Sequence, residues 1–393
     1  MRILTLSYEF PPIGGGGSGV VKGLSRELVK LGHIVDIVTM GFRDLPRVEV
    51  VDGATVHRVD CRRRLESKCT AREALRYVIN ARPVVRRLLA EHRYDLVHTH
   101  FIFPDGIIAL REVAPRGVPY IITAHGSDVP GYNPKSFFKL VHPVLKVVWR
   151  RVTRSAAEIV SPSRMLEQLI KAVGPGTLVS VIPNGIDPDK YRPATKKNQI
   201  LIATRLVERK GVQYLLKAVA GTGIDWPTII VGSGEYEAEL TSLNEQLGNV
   251  ANFVGWMSNE SRAFHDLLEQ SAIYALPSDV ENFPVSLLEA MAAGCAIVTT
   301  RGHGCEEVVG ESAELVTPGS QDTDRCVGEI RAALARLTGD PAYCARLGAA
   351  ARMRLDENFT WNAVARRYLE VYERHATPSA LPGSTRLTES AST

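Results

Sequence analysis

The sequence predicts an α/β fold in which two doubly wound domains, each a parallel sheet with helices on both faces, meet at a cleft. Three observations support this prediction. Apolar segments with strand character alternate with helical patterns along the chain. The 393 residues are 45% hydrophobic, which is enough for two cores. The polar stretch NGIDPDKYRPATKKN interrupts the alternation at residues 184–198 and is typical of a linker.

In the first half, the segments with strand character are RILTL, IVDIV, DLVHTH, YIITA, AEIVS and VSVIP. Helices are expected at Val20–Leu31, Ala71–Glu91 and Arg164–Val173. The last of these has a favourable N-cap in Ser163 and a favourable C-cap in Gly174.

In the second half, the segments with strand character are QILIAT, TIIVG, ANFVG, AIYALP, AIVTT and AELVT. Helices are expected at Gly211–Val219 and Val285–Ala293. Pro284 suits the first position of the second helix, and Gly294 is a natural left-handed stop.

These patterns suggest a division into domains. We expect a first domain at residues 1–190 and a second domain at residues 191–359. Thr360 is a favourable N-cap for a closing helix at 360–376, which we expect to pack near the first domain. The tail at 377–393 is rich in Pro, Ser and Thr and is expected to be disordered.

The composition excludes several classes of protein. The first residues form an apolar strand without the pattern of a signal peptide, and no apolar run reaches the length of a spanning helix. The six cysteines have neither a C-x-x-C spacing nor a disulfide pattern, and no His/Cys cluster suggests a metal. We therefore expect a cytoplasmic protein with reduced thiols and no nucleic-acid partner.

Charge is distributed unevenly along the chain. Residues 1–192 carry 29 Lys+Arg against 18 Asp+Glu, or +11, whereas the remainder carries 18 against 25, or −7. The segment FFKLVHPVLKVVWRRVTR, at 137–154, places basic residues beside Phe and Trp, as in a helix that lies on an anionic membrane. Pro143 argues against a continuous helix, and the same apolar residues can pack on the sheet. Peripheral contact with the inner face of a membrane and core packing are therefore both compatible with this segment.

A glycine-rich loop, YEFPPIGGGGSGVV, follows the first strand. Gly14, Gly16 and Gly19 match G-x-G-x-x-G, but several residues separate them from the strand and Asp36 lies in the middle of the second strand, which argues against a dinucleotide site. No Gly-Lys-Ser/Thr follows, so the loop is not a P-loop. It indicates a place where backbone N–H groups approach a ligand at a helix N-terminus.

Two further loops carry candidate site residues. His125, in TAHGSDV, follows a strand and is expected to project towards the cleft, although a structural role is about equally compatible. In ATRLVERKGV, Arg205 and Lys210 flank the loop before a helix. Two cations beside a helix N-terminus favour a diphosphate site, although the spacing alone is common on protein surfaces.

The stretch SDVENFPVSLLEAMAAG contains two glutamates of unusual placement. Glu281 precedes a helix N-terminus, whereas Glu289 lies about one and a half turns into a helix that is otherwise nearly all apolar. A carboxylate there is costly unless another group binds it. We predict that Glu289 binds a ribose diol and Glu281 the hydroxyls of a sugar, with the backbone N–H groups around Phe283–Val285 near the phosphates. Solvated surface acids are the alternative.

These motifs, in this order, resemble the family 4 retaining glycosyltransferases, which have the GT-B fold of two facing Rossmann-like domains. The resemblance covers roughly residues 1–375, and its most specific part is the E-x7-E pair. It implies that the first domain binds the acceptor and that the second binds the nucleotide sugar. Arg205 and Lys210 then neutralise the donor phosphates, Glu281 binds the donor sugar and Glu289 binds the ribose, while His125 lies beside the transferred sugar. The residues expected near the donor diphosphate are Gly15, Gly16, Asn282, Phe283, Pro284 and Val285.

One departure from the family pattern bears on the donor site. Many members have Gly-Phe-Gly where this chain has Asn282-Phe283-Pro284. Because proline lacks an N–H group, we expect the phosphate contacts to shift by a residue.

The resemblance implies transfer of a hexose from a UDP- or GDP-sugar to the hydroxyl of a glycan, a lipid-linked molecule or a small molecule, with retention and by a front-face mechanism. No cofactor or metal is expected, and we interpret the D-x-D-like Asp187-Pro188-Asp189 as a hinge in the linker. A sugar phosphorylase or a sugar-nucleotide epimerase of the same fold is an alternative function. A sugar-nucleotide sensor that does not turn over is an alternative of another class.

Overall fold

The computed structural model describes residues 1–66, 68–132, 142–192 and 194–377, and every structural statement below concerns these ranges. They form two sheets of eight and six strands, flanked by helices. Within these ranges, no helix is both long and apolar enough to cross a bilayer.

The first sheet has the strand order β3-β4-β2-β1-β5-β6-β7-β8. Its strands are β1 (Arg2–Leu6), β2 (Ile34–Met40), β3 (Val48–Val51), β4 (Ala54–Val59), β5 (Leu96–His100), β6 (Tyr120–Thr123), β7 (Glu158–Ser161) and β8 (Val179–Val181). Neighbouring strands are parallel except for the antiparallel pair β3 and β4. The helices of this half are α1 (Gly16–Lys30), α2 (Ala71–Glu91), α3 (Asp105–Ile108), α4 (His142–Ser155) and α5 (Arg164–Val173).

The second sheet has the order β11-β10-β9-β12-β13-β14 and is parallel throughout. Its strands are β9 (Lys197–Ala203), β10 (Thr228–Val231), β11 (Asn252–Gly255), β12 (Ser271–Leu276), β13 (Ala296–Thr300) and β14 (Glu314–Val316). The helices that follow the linker are α6 (Val212–Val219), α7 (Glu237–Gln246), α8 (Arg262–Gln270), α9 (Val285–Ala292), α10 (His303–Val309), α11 (Thr323–Gly339), α12 (Pro341–Asn358) and α13 (Trp361–His375).

The predicted α/β class is confirmed, and the strand orders locate the ligand-binding edges. In each sheet the order reverses once, between β1 and β5 in the first and between β9 and β12 in the second. Loops that follow the strands at such a switch point border the crevice where doubly wound sheets bind ligands. The glycine-rich loop follows β1, the loop with Arg205 and Lys210 follows β9, and Glu281 follows β12.

Helix caps account for the boundaries that were predicted correctly. Helix α5 has the predicted span, and the Ser163 hydroxyl accepts a hydrogen bond from Leu166 N at 3.2 Å. Helix α2 also has its predicted span, with a capping box formed by Thr70 and Glu73. Gly294 has the left-handed conformation predicted for a helix stop, with φ +71°.

Three predictions about local structure were wrong in detail. Helix α1 begins at Gly16 rather than Val20, so part of the predicted glycine loop is the first turn of a helix. Strands β3 and β4 were not predicted: β3 has only four residues, none of them buried, and β4 contains the polar residues Thr55, His57 and Arg58. Pro284 is the N-cap of α9 rather than its first residue, with an extended ψ of 111°.

Helix α13 connects the two halves. Phe359 O accepts a hydrogen bond from Ile186 N, and Trp361 N donates to Ile186 O, which joins the start of α13 to the linker. The helix then packs on the first sheet, and its buried side chains share a core cluster with strands β1, β2 and β5. The expected packing of the closing helix agrees with this contact, whereas the domain limits themselves stay a prediction. The expected disordered tail lies, from residue 378, outside the described residues.

The segment proposed for membrane contact is only partly described. Residues 137–141 lie outside the described ranges. Trp149 has no exposed surface, and a Cβ atom on Gly174 would lie 3.0 Å from its ring. Val152 is buried as well. Of the two alternatives left open for this segment, Trp149 and Val152 follow core packing, because both side chains belong to the core of the first half.

We predict that Gly211→Ala destabilises the second half strongly. Gly211 has φ +75°, and a Cβ atom there would lie 1.9 Å from Pro277 O. Backbone strain alone costs about 1–2 kcal/mol, and the displaced backbone adds to this loss. Gly221→Ala is the matched control, since Gly221 has φ +66° but no heavy atom within 4 Å of the Cβ position. Urea unfolding should show a clearly larger loss for Gly211→Ala, and equal losses would contradict the close approach.

Candidate active site

The N-terminus of α1 forms one wall of the cleft. Gly15 is its N-cap, and a Cβ atom on Gly15 or Gly16 would meet no heavy atom within 4 Å. Gly15 N lies 3.3 Å from the Glu9 carboxylate, to which it donates a hydrogen bond. The first N–H groups of a helix have no partner within the helix, so this open end suits an anion.

His125 lies directly against this helix end. A Cβ atom on Gly17 would lie 3.5 Å from His125 Nδ1 and 2.7 Å from the Phe101 ring, so glycine is required for the approach. The Phe101 and His125 rings are 4.3 Å apart. The backbone N–H of His125 donates to the Asp128 carboxylate at 3.0 Å, which fixes the loop. The structure thus brings His125 together with the first turn of α1.

A row of buried histidines supports His125 from behind. His100 Nδ1 lies 3.2 Å from His125 Nε2, and the His98 ring lies 4.2 Å from the His100 ring. Burial lowers the pKa of His98 and of His125 to about 3. Burial also lowers the pKa of His100 well below its usual value. The three rings are therefore neutral at pH 7, and one ring nitrogen in the His100–His125 contact donates while the other accepts.

The row ends on the C-terminal helix. Tyr372 Oη lies 2.8 Å from His98 Nδ1, and His98 Nε2 lies 2.8 Å from the Thr123 hydroxyl. The same hydroxyl is 3.0 Å from Tyr368 Oη. Every polar atom of the His98 ring is thereby satisfied, which a buried imidazole requires.

The two halves meet at Asn282. Its side chain accepts a hydrogen bond from the Ser163 hydroxyl at 2.6 Å, and Ser163 in turn caps α5. A Cβ atom on Gly126 would lie 3.4 Å from Asn282 Nδ2. The residue after His125 therefore lies next to the residue after Glu281, and the two predicted parts of the site face each other there.

A second contact between the halves lies beside the first. The Glu307 carboxylate of α10 accepts hydrogen bonds from Arg164 N at 2.8 Å and from Met165 N at 3.2 Å. These are free N–H groups at the N-terminus of α5. A carboxylate from one half thus caps a helix of the other half, which the sequence did not indicate.

Lys210 and Glu281 form an ion pair on the second side of the cleft. The side chains are only 12% and 8% exposed, respectively. Gly211 makes the pair possible, since its close approach to Pro277 O brings the loop after β9 onto the loop after β12. Arg205 is exposed, and its side chain forms no ion pair or hydrogen bond within the described residues. The predicted cations and the first acid are therefore neighbours, and one cation remains free.

Glu289 lies in a different environment. It is buried on α9 and hydrogen-bonds to the side chains of Tyr191 and Asn259. Burial raises its pKa to about 7, although the two hydrogen bonds oppose this rise. The carboxylate predicted to need a partner does have two, one from the linker and one from the loop after β11.

The D-x-D-like triplet has structural contacts. The Asp187 carboxylate accepts from Asp189 N at 3.2 Å and pairs with Arg26 at 3.0 Å. Lys190 pairs with Glu260 at 3.0 Å. Asp187 and the neighbouring Lys190 therefore tie the linker to both halves, and the interpretation of the triplet as a hinge stays a prediction.

Several residues at the site carried no clear sequence signal. Tyr191 looked like linker, Asn259 like loop, and Ser163 only like a helix cap. His98 and His100 did carry a signal, because alternate residues of a strand share a face. Phe283 is buried and packs edge-on against Phe359 at 5.7 Å, so its side chain is part of the core.

We predict that Glu289→Gln stabilises the protein at pH 8. The folded pKa of about 7 lies above the ordinary value of 4.5, so the stability linked to this group is fully present below pH 4.5 and is lost as the pH rises through about 7. Removal of the charge should raise the unfolding free energy by about 1–3 kcal/mol at pH 8 and have little effect at pH 5. Urea unfolding at both pH values measures this, with the exposed Glu311→Gln as control. An equal effect at both pH values would contradict the raised pKa.

Two family models match the chain. Glycosyltransferase Family 4 matches residues 14–190, and Glycosyl transferases group 1 matches residues 184–354. The two matches meet in the linker and together include both walls of the cleft.

Individual proteins agree with these matches. The MMP alpha-(1->4)-mannosyltransferase of Mycolicibacterium hassiacum is 29% identical, over 95% of this chain and 98% of the relative. Sucrose-phosphate synthase from Thermosynechococcus elongatus superposes with a TM-score of 0.77 at 22% identity, over 95% of this chain and 98% of that chain. HepE from Anabaena in complex with UDP has a TM-score of 0.74 at 18% identity, over 95% and 100% of the two chains.

The family resemblance seen in the sequence is thus confirmed, as is the GT-B fold. The chain belongs to glycosyltransferase family 4 and is a retaining glycosyltransferase that uses a nucleotide-sugar donor.

Proposed function

We propose that the chain transfers a hexose from a UDP- or GDP-sugar to an acceptor hydroxyl by a front-face mechanism that needs no metal ion. The observation that carries this proposal is the contact between Gly126 and Asn282. It sets His125, beside the end of α1, directly across from Glu281 and its partner Lys210. A helix end suited to anions, a neutral histidine, an acid and two cations then border one cleft.

The donor diphosphate binds between Arg205, Lys210 and the helix ends. Arg205 is exposed and without an ion pair, so it is available to a ligand. Lys210 is already paired with Glu281, which keeps its ammonium group in place and leaves its other N–H donors for a phosphate oxygen. From the opposite wall, Gly16 offers a backbone N–H group to the diphosphate, and Gly15, whose own N–H donates to Glu9, lies beside it. At α9, the first helical residue is Val285, and it offers its backbone N–H group to the phosphates. The N-cap before it, Pro284, has no N–H group.

The two glutamates bind the two sugars of the donor. Glu281, at the contact between the halves, accepts hydrogen bonds from hydroxyls of the transferred hexose. Glu289 lies further along α9 and accepts from the ribose diol, since its Tyr191 and Asn259 partners orient the carboxylate. His125 lies across from Glu281 and contacts the hexose through Nδ1, because its Nε2 is bonded to His100.

The chemical step is a substitution on one face of the sugar. The bond between the anomeric carbon and the phosphate oxygen breaks, and the acceptor oxygen forms its bond to that carbon from the same face. The acceptor proton passes to the departing phosphate oxygen. Arg205 and Lys210 stabilise the charge that develops on this phosphate, which is the role that a metal ion fills in other transferases.

The base, the sugar and the acceptor are the parts of the proposal that need a direct assay. A GDP-mannose-dependent mannosyltransferase and a UDP-bound structure are among the similar proteins, so both UDP- and GDP-sugars are candidates. The acceptor is the hydroxyl of a glycan, a lipid-linked molecule or a small molecule. Screening UDP- and GDP-hexoses for release of the nucleoside diphosphate, with and without candidate acceptors, identifies the donor first. Activity with inorganic phosphate in place of a nucleotide would indicate a phosphorylase instead.

We predict that Arg205→Ala lowers kcat/KM for the donor by about 100-fold in excess EDTA, because loss of one group that stabilises the developing charge has about this effect. Lys217→Ala, at an exposed position on α6, is the control and should be neutral. Wild-type activity that disappears in EDTA and returns with Mg²⁺ or Mn²⁺ would contradict the metal-free mechanism. Equal activities of the two variants would contradict the role of Arg205.

We predict that His100→Leu lowers kcat by about 10- to 100-fold with little change in donor affinity, because a misplaced His125 affects the reacting geometry more than binding. His100→Asn should recover most of the activity, since its amide can replace the ring Nδ1. Kinetics and calorimetry separate the two effects, and thermal unfolding shows whether each variant is folded. A His100→Asn variant as slow as a folded His100→Leu variant would rule out the hydrogen bond as the cause.

A further inference from the structure

Three large apolar side chains are exposed on α2 and on the segment before it, which meets the first turn of α2 through the hydrogen bond from Arg64 N to Glu73. Leu65 is 57% exposed, Leu75 61% and Ile79 56%. Leu75 and Ile79 lie one turn apart on α2, so they share the outer face of that helix. Exposed apolar groups close together on a charged surface mark interaction sites more often than isolated ones do.

The same surface is strongly basic. Residues 61–93 carry ten Lys+Arg against three Asp+Glu, or +7, which is most of the +11 of the first half. Arg72 and Arg76 are exposed beside Leu75 on the outer face of α2. Seven exposed bases in this range form no ion pair within the described residues: Arg62, Arg64, Lys68, Arg72, Arg76, Arg87 and Arg93. Of the three acids, Glu73 is buried in the capping box of α2.

We propose that this basic apolar surface, formed by the outer face of α2, by residues 62–66 and by Lys68, docks on an anionic lipid bilayer. A helix that lies in a membrane interface has apolar side chains flanked by unpaired Lys and Arg on one face, and that is the arrangement of Leu75, Ile79, Arg72 and Arg76. A soluble polyanion matches the charge but gives no role to the exposed leucine and isoleucine. The charge and the apolar groups together therefore favour a bilayer.

The surface is joined to the cleft by a short series of contacts. Glu66 O accepts hydrogen bonds from Gly14 N at 2.9 Å and from Arg63 Nη2 at 2.8 Å. Arg63 also lies 3.6 Å from the Glu9 carboxylate, which holds Gly15 N. A bilayer on this surface therefore lies beside the end of α1. The inference rests on the proposed function in one respect, since it identifies the acceptor as a molecule carried by an anionic membrane.

The membrane-docking surface proposed on α2 lies elsewhere than the segment at 137–154, which the sequence suggested for membrane contact. On α4, Trp149 is buried, whereas Arg151 and Arg154 are exposed without an exposed aromatic partner between them. These two arginines form no ion pair within the part of the chain that the structure describes. They provide a control of equal charge on another helix of the same half.

Flotation with vesicles of phosphatidylglycerol and phosphatidylcholine, and of phosphatidylcholine alone, tests the proposal. The wild type should float with the anionic vesicles only, and less at high salt. The double variants Arg72→Glu/Arg76→Glu and Leu75→Ser/Ile79→Ser should each lower the partition coefficient at least tenfold. Arg151→Glu/Arg154→Glu, with the same change of charge, should lower it less than threefold. All the altered side chains are exposed, and unchanged thermal unfolding confirms that each variant is folded.

Three outcomes would overturn the proposal. The first is that the wild type fails to float at low salt. The second is that the α4 variant loses as much binding as the α2 charge variant, and the third is that the Leu75→Ser/Ile79→Ser variant floats like the wild type. The last outcome, together with salt-sensitive retention on heparin, would indicate a polyanion partner. Donor affinity measured by calorimetry on the same variants should not change. Flotation needs no donor, so the two proposals can fail separately. If the wild type does not bind a donor, the proposed function is contradicted, whereas the flotation result still tests membrane docking.

Discussion

The ion pair between Lys210 and Glu281 is the contact on which the arrangement of the cleft depends. Both side chains are largely shielded from water, so neither charge is stable there without the other, and loss of one partner from such a pair costs about 3–5 kcal/mol. The pair joins loops that are 71 residues apart. The approach of Gly211 to Pro277 O brings these loops close enough for a salt bridge, and no residue with a Cβ atom fits there without moving the backbone.

The position of Asn282 follows from the same constraint. Glu281 fixes the chain just before it, and a Cβ atom on Gly304 would lie 1.7 Å from Asn282 O, so α10 closes on its other side. Held in this way, the Asn282 side chain reaches Ser163 of the first half. A contact within the second half therefore sets the contact between the halves. Glu289, on the helix that follows, does not depend on the contacts of Lys210, Glu281 and Asn282. Its own partners come from the linker and from the loop after β11.

The predictions from sequence succeeded where the cause of a structure is local and failed where it is not. Caps such as Ser163 and Thr360 lie next to the helices they begin, so the helix boundaries could be read from the residues. The start of α1 could not, because a run of glycines has low helix propensity and only its packing against Phe101 and His125 makes it helical. The family motif assigns the acids and cations to the site, and these assignments stay predictions. It did not predict that Lys210 and Glu281 pair with each other, since that depends on the approach of two distant loops.

Helix α13 illustrates how a distant part of the chain supports the site. His98 lies on β5, a central strand, and is only 1% exposed. A buried ring nitrogen without a partner costs about 1–3 kcal/mol, and the Tyr372 hydroxyl that meets His98 Nδ1 comes from α13. The packing of α13 on the first sheet is therefore more than a closure of the surface. It satisfies the first member of a row of neutral histidines whose last member, His125, faces the cleft, so the last helix of the fold helps to hold a side chain of the first half in place.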